Sequence, residues 1–192
     1  MLMNDFYTPF RDHNRRYDLF RKVIEYYQIR ERKVKYLEFG VSQAHSFRWW
    51  IAQNIHPESA FYGFDTFEGL PEQWGGFAKG AMAAGIPQVE DKRAVFLPGL
   101  FQDTLPDFLK STDIASAEIR IIHLDADLFS ATLYALTSLA PHLRKGDILF
   151  FDEFNVPNHE FQAFRLFCDS YYLKFRLLGA VNNYYQVAFV MD

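Results

Sequence analysis

The stretch Ile119-Arg-Ile-Ile-His-Leu-Asp-Ala-Asp127 decides how the rest of the chain is read. Its short apolar, β-branched run reads as a buried strand. Carboxylates follow at positions 125 and 127. A strand that ends abruptly in acid delivers that acid to the edge of a sheet. In open α/β sheets, ligands bind at the carboxyl ends of the strands. Asp125 and Asp127 are therefore a candidate site, to which other strand ends of the same sheet would contribute.

Working outward, the pattern recurs. Lys35-Tyr-Leu-Glu-Phe-Gly40 reads as a short strand ending in acid and glycine, and Ala60-Phe-Tyr-Gly-Phe-Asp65 as a second ending in acid. Ala94–Leu97 is a strand closed by Pro98-Gly99, and Asp147–Glu153 a strand ending in paired acids. Helices alternate with them. Leu19, Val23 and Tyr26-Tyr27 give helical spacing over about Arg15–Ile29. Ser42 suits the N-cap of a helix running through Phe47, Trp49, Trp50 and Ile51 to about Asn54. Phe101 to Pro106 leads into a short helix ending near Ser111. Ser130–Leu143 presents Leu133, Leu136, Leu139, Ala140 and Leu143 on one face, and Gly146 closes it. A last helix spans about Asn158–Tyr171. Phe175–Ala180 and Tyr184–Met191 flank the hairpin signal Asn182-Asn183. Five β-α repeats and a terminal hairpin predict an α/β fold. Its sheet is mostly parallel and doubly wound, with right-handed crossovers and an antiparallel edge.

Composition bounds the alternatives. The 192 residues suit one domain, and 49% hydrophobic residues supply a large core. With 21 Phe and 11 Tyr, most rings fill core and some line a pocket for a flat or greasy ligand. A net charge of −4 argues against a nucleic-acid binder. Arg11, Arg15, Arg16, Arg21 and Lys22 are interleaved with Asp12, Asp18 and Glu25, which reads as a solvated helix face. The single cysteine, Cys168, excludes an internal disulfide and a cysteine-rich zinc site, and sits in an apolar pattern as a buried thiol. No signal-peptide core or 18-residue apolar run is present, so a soluble cytoplasmic protein is the default. Residues 72–92 hold Gly75, Gly76, Gly80, Gly85 and Pro87, and read as either a loop over a site or a plain insertion.

Glu38, Asp65, Asp125 and Asp152-Glu153 end four strands in phase. Any one of them suits a helix cap, but four in phase need another explanation. Gly40 lets the backbone approach a ligand. Asp65, 25 residues after Gly40, can accept two hydrogen bonds from a ribose diol. Asp125 and Asp152 should lie on neighbouring strands, where carboxylates repel unless one is protonated or a cation sits between them. Mg²⁺ would satisfy Asp125, Asp152 and Glu153. Asp127 is simplest as a cap for the next helix. His45 is a better pocket residue than His123, for which a hydrogen-bonded core position competes with the role of a base. There is no Gly-x-Ser-x-Gly elbow, Walker lysine or zinc set. The lone glycine at the first turn counts against a pyrophosphate, and so against a nicotinamide-dependent oxidoreductase. It suits a ligand with a ribose and an amino-acid tail, such as S-adenosylmethionine.

Five segments then occur in order: Tyr36-Leu-Glu-Phe-Gly-Val-Ser42, Tyr62-Gly-Phe-Asp-Thr-Phe-Glu-Gly-Leu-Pro71, Gly99-Leu-Phe-Gln-Asp-Thr-Leu-Pro106, His123-Leu-Asp-Ala-Asp-Leu-Phe-Ser130 and Phe151-Asp-Glu-Phe154. Together they resemble class I S-adenosylmethionine-dependent methyltransferases, in the group similar to macrocin O-methyltransferase. The resemblance covers roughly 34–192 and implies one methyltransferase domain there, preceded by the N-terminal helical segment over 1–33. It implies a Rossmann-like sheet of seven strands in the order 3-2-1-4-5-7-6, the last antiparallel. S-adenosylmethionine would lie at the first strand ends, contacted from Glu38, Phe39, Gly40, Ser42, His45, Ser46, Asp65, Thr66, Phe67, Gly99, Phe101 and Asp125. Phe101 would sit near the adenine. Mg²⁺ would be held by Asp125, Asp152 and Glu153, where relatives often carry Asp-Asp in place of Asp152-Glu153. Asp125 and His45 would be catalytic. The implied reaction is O-methylation of a small-molecule hydroxyl on a sugar or natural product, with no nucleic-acid or membrane partner and a homo-oligomer left open. The alternative is a cofactor-binding protein on the same fold that performs no transfer.

Overall fold

The strand β5 (Ile119–Leu124) is buried at all six positions and lies inside the sheet. The computed structural model describes residues 1–5 and 12–192, so Arg11 lies outside the described residues. Parallel partners flank β5 on both sides: β2 (Val34–Phe39) and β6 (Ile148–Phe151). Outward from β2 come β3 (Ala60–Asp65) and β4 (Ala94–Pro98), both parallel. On the other side β8 (Gln186–Met191) runs antiparallel to β6 and to β7 (Phe175–Val181). A two-residue strand, β1 (Met3–Asn4), adds parallel to β7.

The expected seven strands are thus eight, and the expected order is corrected to β1-β7-β8-β6-β5-β2-β3-β4. The difference lies in β1, which is too short to carry a periodic signal. The α/β, mostly parallel class holds. The turn between β7 and β8 places Asn182, Asn183 and Tyr184 at φ of 54°, 57° and 63°. Asparagine tolerates that left-handed region better than most residues.

Alternation along the inner strands divides the core. Tyr36, Ile121 and Phe150 face one side, where they meet Leu19, Phe20 and Val23 of α1 (Arg15–Tyr27) and Phe47 and Trp50 of α2 (His45–Gln53). Leu37, Ile122 and Phe151 face the other. There they meet Leu105 of α3 (Phe101–Ser111), Leu136 of α4 (Phe129–Leu139) and Phe167 of α5 (Glu160–Tyr171). A fully buried side chain of this size contributes on the order of 1.5–3 kcal/mol. The aromatic excess therefore goes mainly into two packed layers. Arg120, buried on β5, is paired with buried Asp147, with Nε 2.8 Å from Oδ1 and a second contact from Nη2 to Oδ2. Cys168 is half-buried, and burial pushes its thiol up to about 11, which suits a structural residue. Among the described residues, no helix is long and apolar enough to cross a membrane.

Backbone bonds continue past the strand ends and bind the site together. Gly40 N–H donates to Phe64 O at 2.9 Å, Asp125 N–H to Phe39 O at 2.9 Å, and Asp152 N–H to Leu124 O at 3.1 Å. Residues 40, 125 and 152 are thereby set side by side.

Candidate functional site

A cavity of about 730 Å³ opens at the carboxyl ends of these strands. That volume is within the range of small-molecule sites. One end is formed by Gly40, Ser42, Asp65, Thr66 and Phe101, and the other by Asp125, Asp127, Asp152 and Glu153.

At the first end, Gly40 has φ +91° and packs against the Asp125 backbone. A Cβ there would lie 1.8 Å from the Asp125 carbonyl oxygen. Only glycine fits, and the backbone stays open to the cavity. Asp65 accepts three backbone N–H groups: Val41 at 2.7 Å and Ser42 at 2.8 Å on Oδ2, and Phe67 at 2.7 Å on Oδ1. One carboxylate thus joins the turns after β2 and β3. Thr66 Oγ1 donates to Gly69 O at 2.8 Å. Phe101 lines the cavity and presents its ring edge-on to Phe39.

Several expected contacts lie elsewhere. Ser42 is not a cap: α2 starts three residues later after Ala44, and Ser42 itself sits at φ 47°. Glu38 is fully buried and engaged, accepting from Tyr36 OH at 2.5 Å and Ser46 Oγ at 2.6 Å. Both Glu38 and Ser46 therefore hold the core and do not line the cavity. Phe39 stacks on Phe64 at 4.7 Å in the core. Phe67 turns to Phe96, and Gly99 ties its N–H to Asp65 O at 2.9 Å. His45 is exposed, 3.2 Å from Gln43 Oε1, and is not part of the cavity wall, so the pocket role expected for it is corrected. His123 is a buried core histidine. Its Nδ1 lies 2.8 Å from Tyr36 OH, in the same chain as Glu38.

The acid end carries the strained electrostatics. Burial, then Asp152, pushes Asp125 well above the usual carboxylate range, with Arg16 opposing. Burial with Asp125 and Asp152 does the same to Glu153. Burial and Asp152 push Asp127 up to about 7. Asp127 was expected to cap α4. Instead it sits at φ 59°, the α4 N-terminus has no side-chain cap, and the carboxyl joins the cluster. Ligand oxygens of Asp125, Asp127 and Glu153 lie within 4.8 Å of one another. Glu153 Oε1 accepts from Tyr185 OH at 3.1 Å, while Glu153 Oε2 is buried with no hydrogen-bond partner. An all-oxygen donor set with an orphaned carboxylate oxygen fits a hard divalent cation. Asp152, the third expected ligand, forms a second such group with Asp125 and His123, and Arg16 Nη1 lies 3.0 Å from its Oδ1.

Arg16, His13 and Tyr185 were missed as site residues. Arg16 was read as part of a solvated helix face. That reading holds for Arg21 and Lys22, which pair with Asp18 and Glu25 on the surface. Helical periodicity places Arg16 on α1 but cannot say that the first turn of α1 lies beside the ends of β5 and β6. The 72–92 stretch does line the cavity, through Glu72, Trp74, Phe77 and Met82. Glu72 accepts from Ser130 Oγ at 2.6 Å, and the Trp74 and Phe77 rings stack at 5.5 Å.

The chain is similar to several known proteins. The sequence profile of the macrocin-O-methyltransferase (TylF) family matches residues 87–178. An 8-demethyl-8-(2,3-dimethoxy-alpha-L-rhamnosyl)-tetracenomycin-C 4'-O-methyltransferase from Streptomyces olivaceus is 30% identical over 112 residues. That match covers 48% of this chain and 41% of the relative, so less than half of the relative's length is spanned. The crystal structure of CalS11, a calicheamicin methyltransferase, superposes with a TM-score of 0.70 at 23% identity, over 93% of this chain and 80% of that one. A structure of cmcI described with Mg and SAM superposes at 0.58 with 17% identity, over 92% and 70% of the two chains. At these identities the two structures show a shared fold.

Proposed function

We propose that this chain, similar to the macrocin O-methyltransferases, transfers a methyl group from S-adenosylmethionine to a hydroxyl of a small sugar or natural-product acceptor. One observation carries the reading: a single cavity holds a glycine-and-aspartate turn at one end and four carboxylates at the other. The matched relative is named as an O-methyltransferase of a rhamnosyl natural product, which supports the oxygen acceptor.

When bound, S-adenosylmethionine supplies a sulfonium methyl, and a divalent ion held among Asp125, Asp127, Asp152 and Glu153 would lower the pKa of a nearby hydroxyl. The remaining work belongs to the chain. Gly40, Ser42 and Asp65 fix the cofactor end, because one carboxylate locks both turns. Phe101 offers an apolar ring at that end. Asp125 is common to both ends, with its backbone against Gly40 and its side chain in the acid cluster. It orients the acceptor oxygen and receives its proton as the new carbon–oxygen bond replaces the carbon–sulfur bond. Trp74, Phe77 and Met82 provide an apolar wall for the rest of the acceptor. Orientation for in-line attack is the main source of rate.

Isothermal calorimetry with S-adenosylhomocysteine tests the reading. Binding in the micromolar range is expected, and no detectable heat from the folded protein would overturn it. Asp125→Ala should keep that binding within a few-fold and abolish turnover of a hydroxylated acceptor.

A further inference from the structure

Arg16 is the sole Arg or Lys among the described residues lining the cavity. It reaches from the first turn of α1 to the ends of β5 and β6. Its Nη1 lies 3.0 Å from Asp152 Oδ1 and 3.4 Å from Asp125 Oδ2, and its Nε donates to the His13 carbonyl at 3.2 Å. Its side chain is 19% exposed. The geometry differs from that of a structural arginine in the same protein: Arg120 grips one carboxylate, Asp147, through two nitrogens. Arg16 places one nitrogen between two carboxylates from different strands, which is the position of a bridging cation.

Unmet donors surround that position. A ring nitrogen of His123 and carboxylate oxygens of Asp125 and Asp152 lie within 4.8 Å of one another. The single Tyr36 hydroxyl proton faces Glu38 at 2.5 Å, so the Tyr36 oxygen accepts from His123 Nδ1–H. Nε2 is left with a lone pair, and it is buried with no partner. Glu153 Oε2 is likewise buried and unpartnered. One guanidinium therefore serves more ligand atoms than it can satisfy.

We propose that Arg16 is the resident counter-ion of the acid site, and that a divalent cation and the Arg16 guanidinium compete for Asp125 and Asp152. The inference rests on the reading that a metal enters this cluster. A divalent ion on these carboxylates sets a second positive charge against the guanidinium at close range, so loading the ion drives Arg16 off them. The first turn of α1 loses its tie to the strand ends when this happens. Arg16 is thus a positioning residue that sets the metal affinity of the site from outside the strands.

Mn²⁺ titration by calorimetry, on folded protein without cofactor, is the test. Arg16→Gln should bind Mn²⁺ on the order of tenfold more tightly than the parent, since a nearby positive charge is removed. Arg16→Lys, which keeps the charge, should stay nearer the parent. Adding Asp125→Asn to Arg16→Gln should remove the gain. Hydrogen exchange gives a second readout that charge alone would not move. In the parent, Mn²⁺ should speed exchange across residues 15–19, and in Arg16→Gln it should not. Parent protein that binds Mn²⁺ while Arg16→Gln binds equally or more weakly overturns the competition and leaves the metal reading standing. Exchange that slows across residues 15–19 of the parent on loading also overturns it. No Mn²⁺ binding by either folded protein removes both the competition and the metal.

Discussion

The two ends of the cavity are both built on carboxylates at strand ends, and they use them in opposite ways. Asp65 is surrounded by donors: three backbone N–H groups point at it, and it fastens two turns together. Asp125, Asp127, Asp152 and Glu153 crowd one another, and among the described residues their side-chain donors are few: Arg16 shared by Asp125 and Asp152, Tyr185 OH on Glu153 and Gln186 on Asp152. An acid that has gathered its donors is a structural part. Acids with too few of them hold an electrostatic demand, visible in the raised pKa of Asp125, Asp127 and Glu153 and in the orphaned Glu153 Oε2. The same residue type at the same place in a strand is therefore scaffold or site according to what the following loop supplies.

The largest expected effect comes where the ends touch. Gly40→Ala puts a methyl 1.8 Å from the Asp125 carbonyl oxygen, at φ +91°. Neither backbone can yield without moving β2 or β5, and the left-handed conformation alone costs about 1–2 kcal/mol in a non-glycine residue. A loss above about 4 kcal/mol is expected, in the range reserved for severe core disruption. Urea melts would read it. A variant that retains its midpoint would show that the two ends are not rigidly joined.

Asp65→Ala should act on one end alone. It strands three N–H groups, at an expected cost of roughly 2–4 kcal/mol. Affinity for S-adenosylhomocysteine should fall at least tenfold, because the turns at residues 40–42 and 65–67 lose their common anchor. Mn²⁺ binding at the acid end should change little. If both ligands weaken equally, Asp65 supports the whole cavity and the division into two ends fails.

At the acid end the sign reverses. Burial and Asp152 hold Asp127 near 7, against an ordinary value of 3.8. Between those values the folded state keeps a proton that the unfolded chain gives up. Stability of the metal-free protein therefore falls as pH rises through that window, by about 1.4 kcal/mol per unit for this group. The melting temperature should be lower at pH 8 than at pH 5.5. Asp127→Asn should flatten the slope and stabilise the metal-free protein by about 1–3 kcal/mol at pH 8, while weakening Mn²⁺ binding. A melting temperature that rises toward pH 8 would mean the acids are already paired.

The contrast also explains what the sequence could convey. The parallel α/β class was legible because apolar runs such as Ile119–Leu124 alternate with amphipathic helices, and that pattern is local. The converging acids were legible because a parallel sheet brings strand ends to one edge. Three things were not. β1 has two residues and no pattern. Asp127 sits two residues beyond Asp125, and its left-handed backbone, which turns it into the cluster, leaves no mark in the residue types. Arg16 is 109 residues from Asp125 in sequence and looks like its solvated neighbours Arg21 and Lys22. What decides the role of Arg16 is that α1 packs on the sheet with its first turn beside the ends of β5 and β6, a tertiary fact that periodicity does not encode.

His45 gives the smallest expected effect. It follows the first turn by five residues, and a histidine there reads as a pocket base. The chain turns away first: Ala44 adopts φ 61° as the cap of α2, and the ring of His45 emerges on the exposed side near Gln43. Exposed side chains without a buried partner contribute within about 0.5 kcal/mol. His45→Ala should therefore leave the urea midpoint, the S-adenosylhomocysteine affinity and the Mn²⁺ affinity within about twofold of the parent. A tenfold loss of S-adenosylhomocysteine binding would place the ring inside the cavity when the ligand is bound. The turn between β2 and α2 would then have to rearrange around Ala44, and the fixed geometry that Asp65 imposes on Val41 and Ser42 would end short of it.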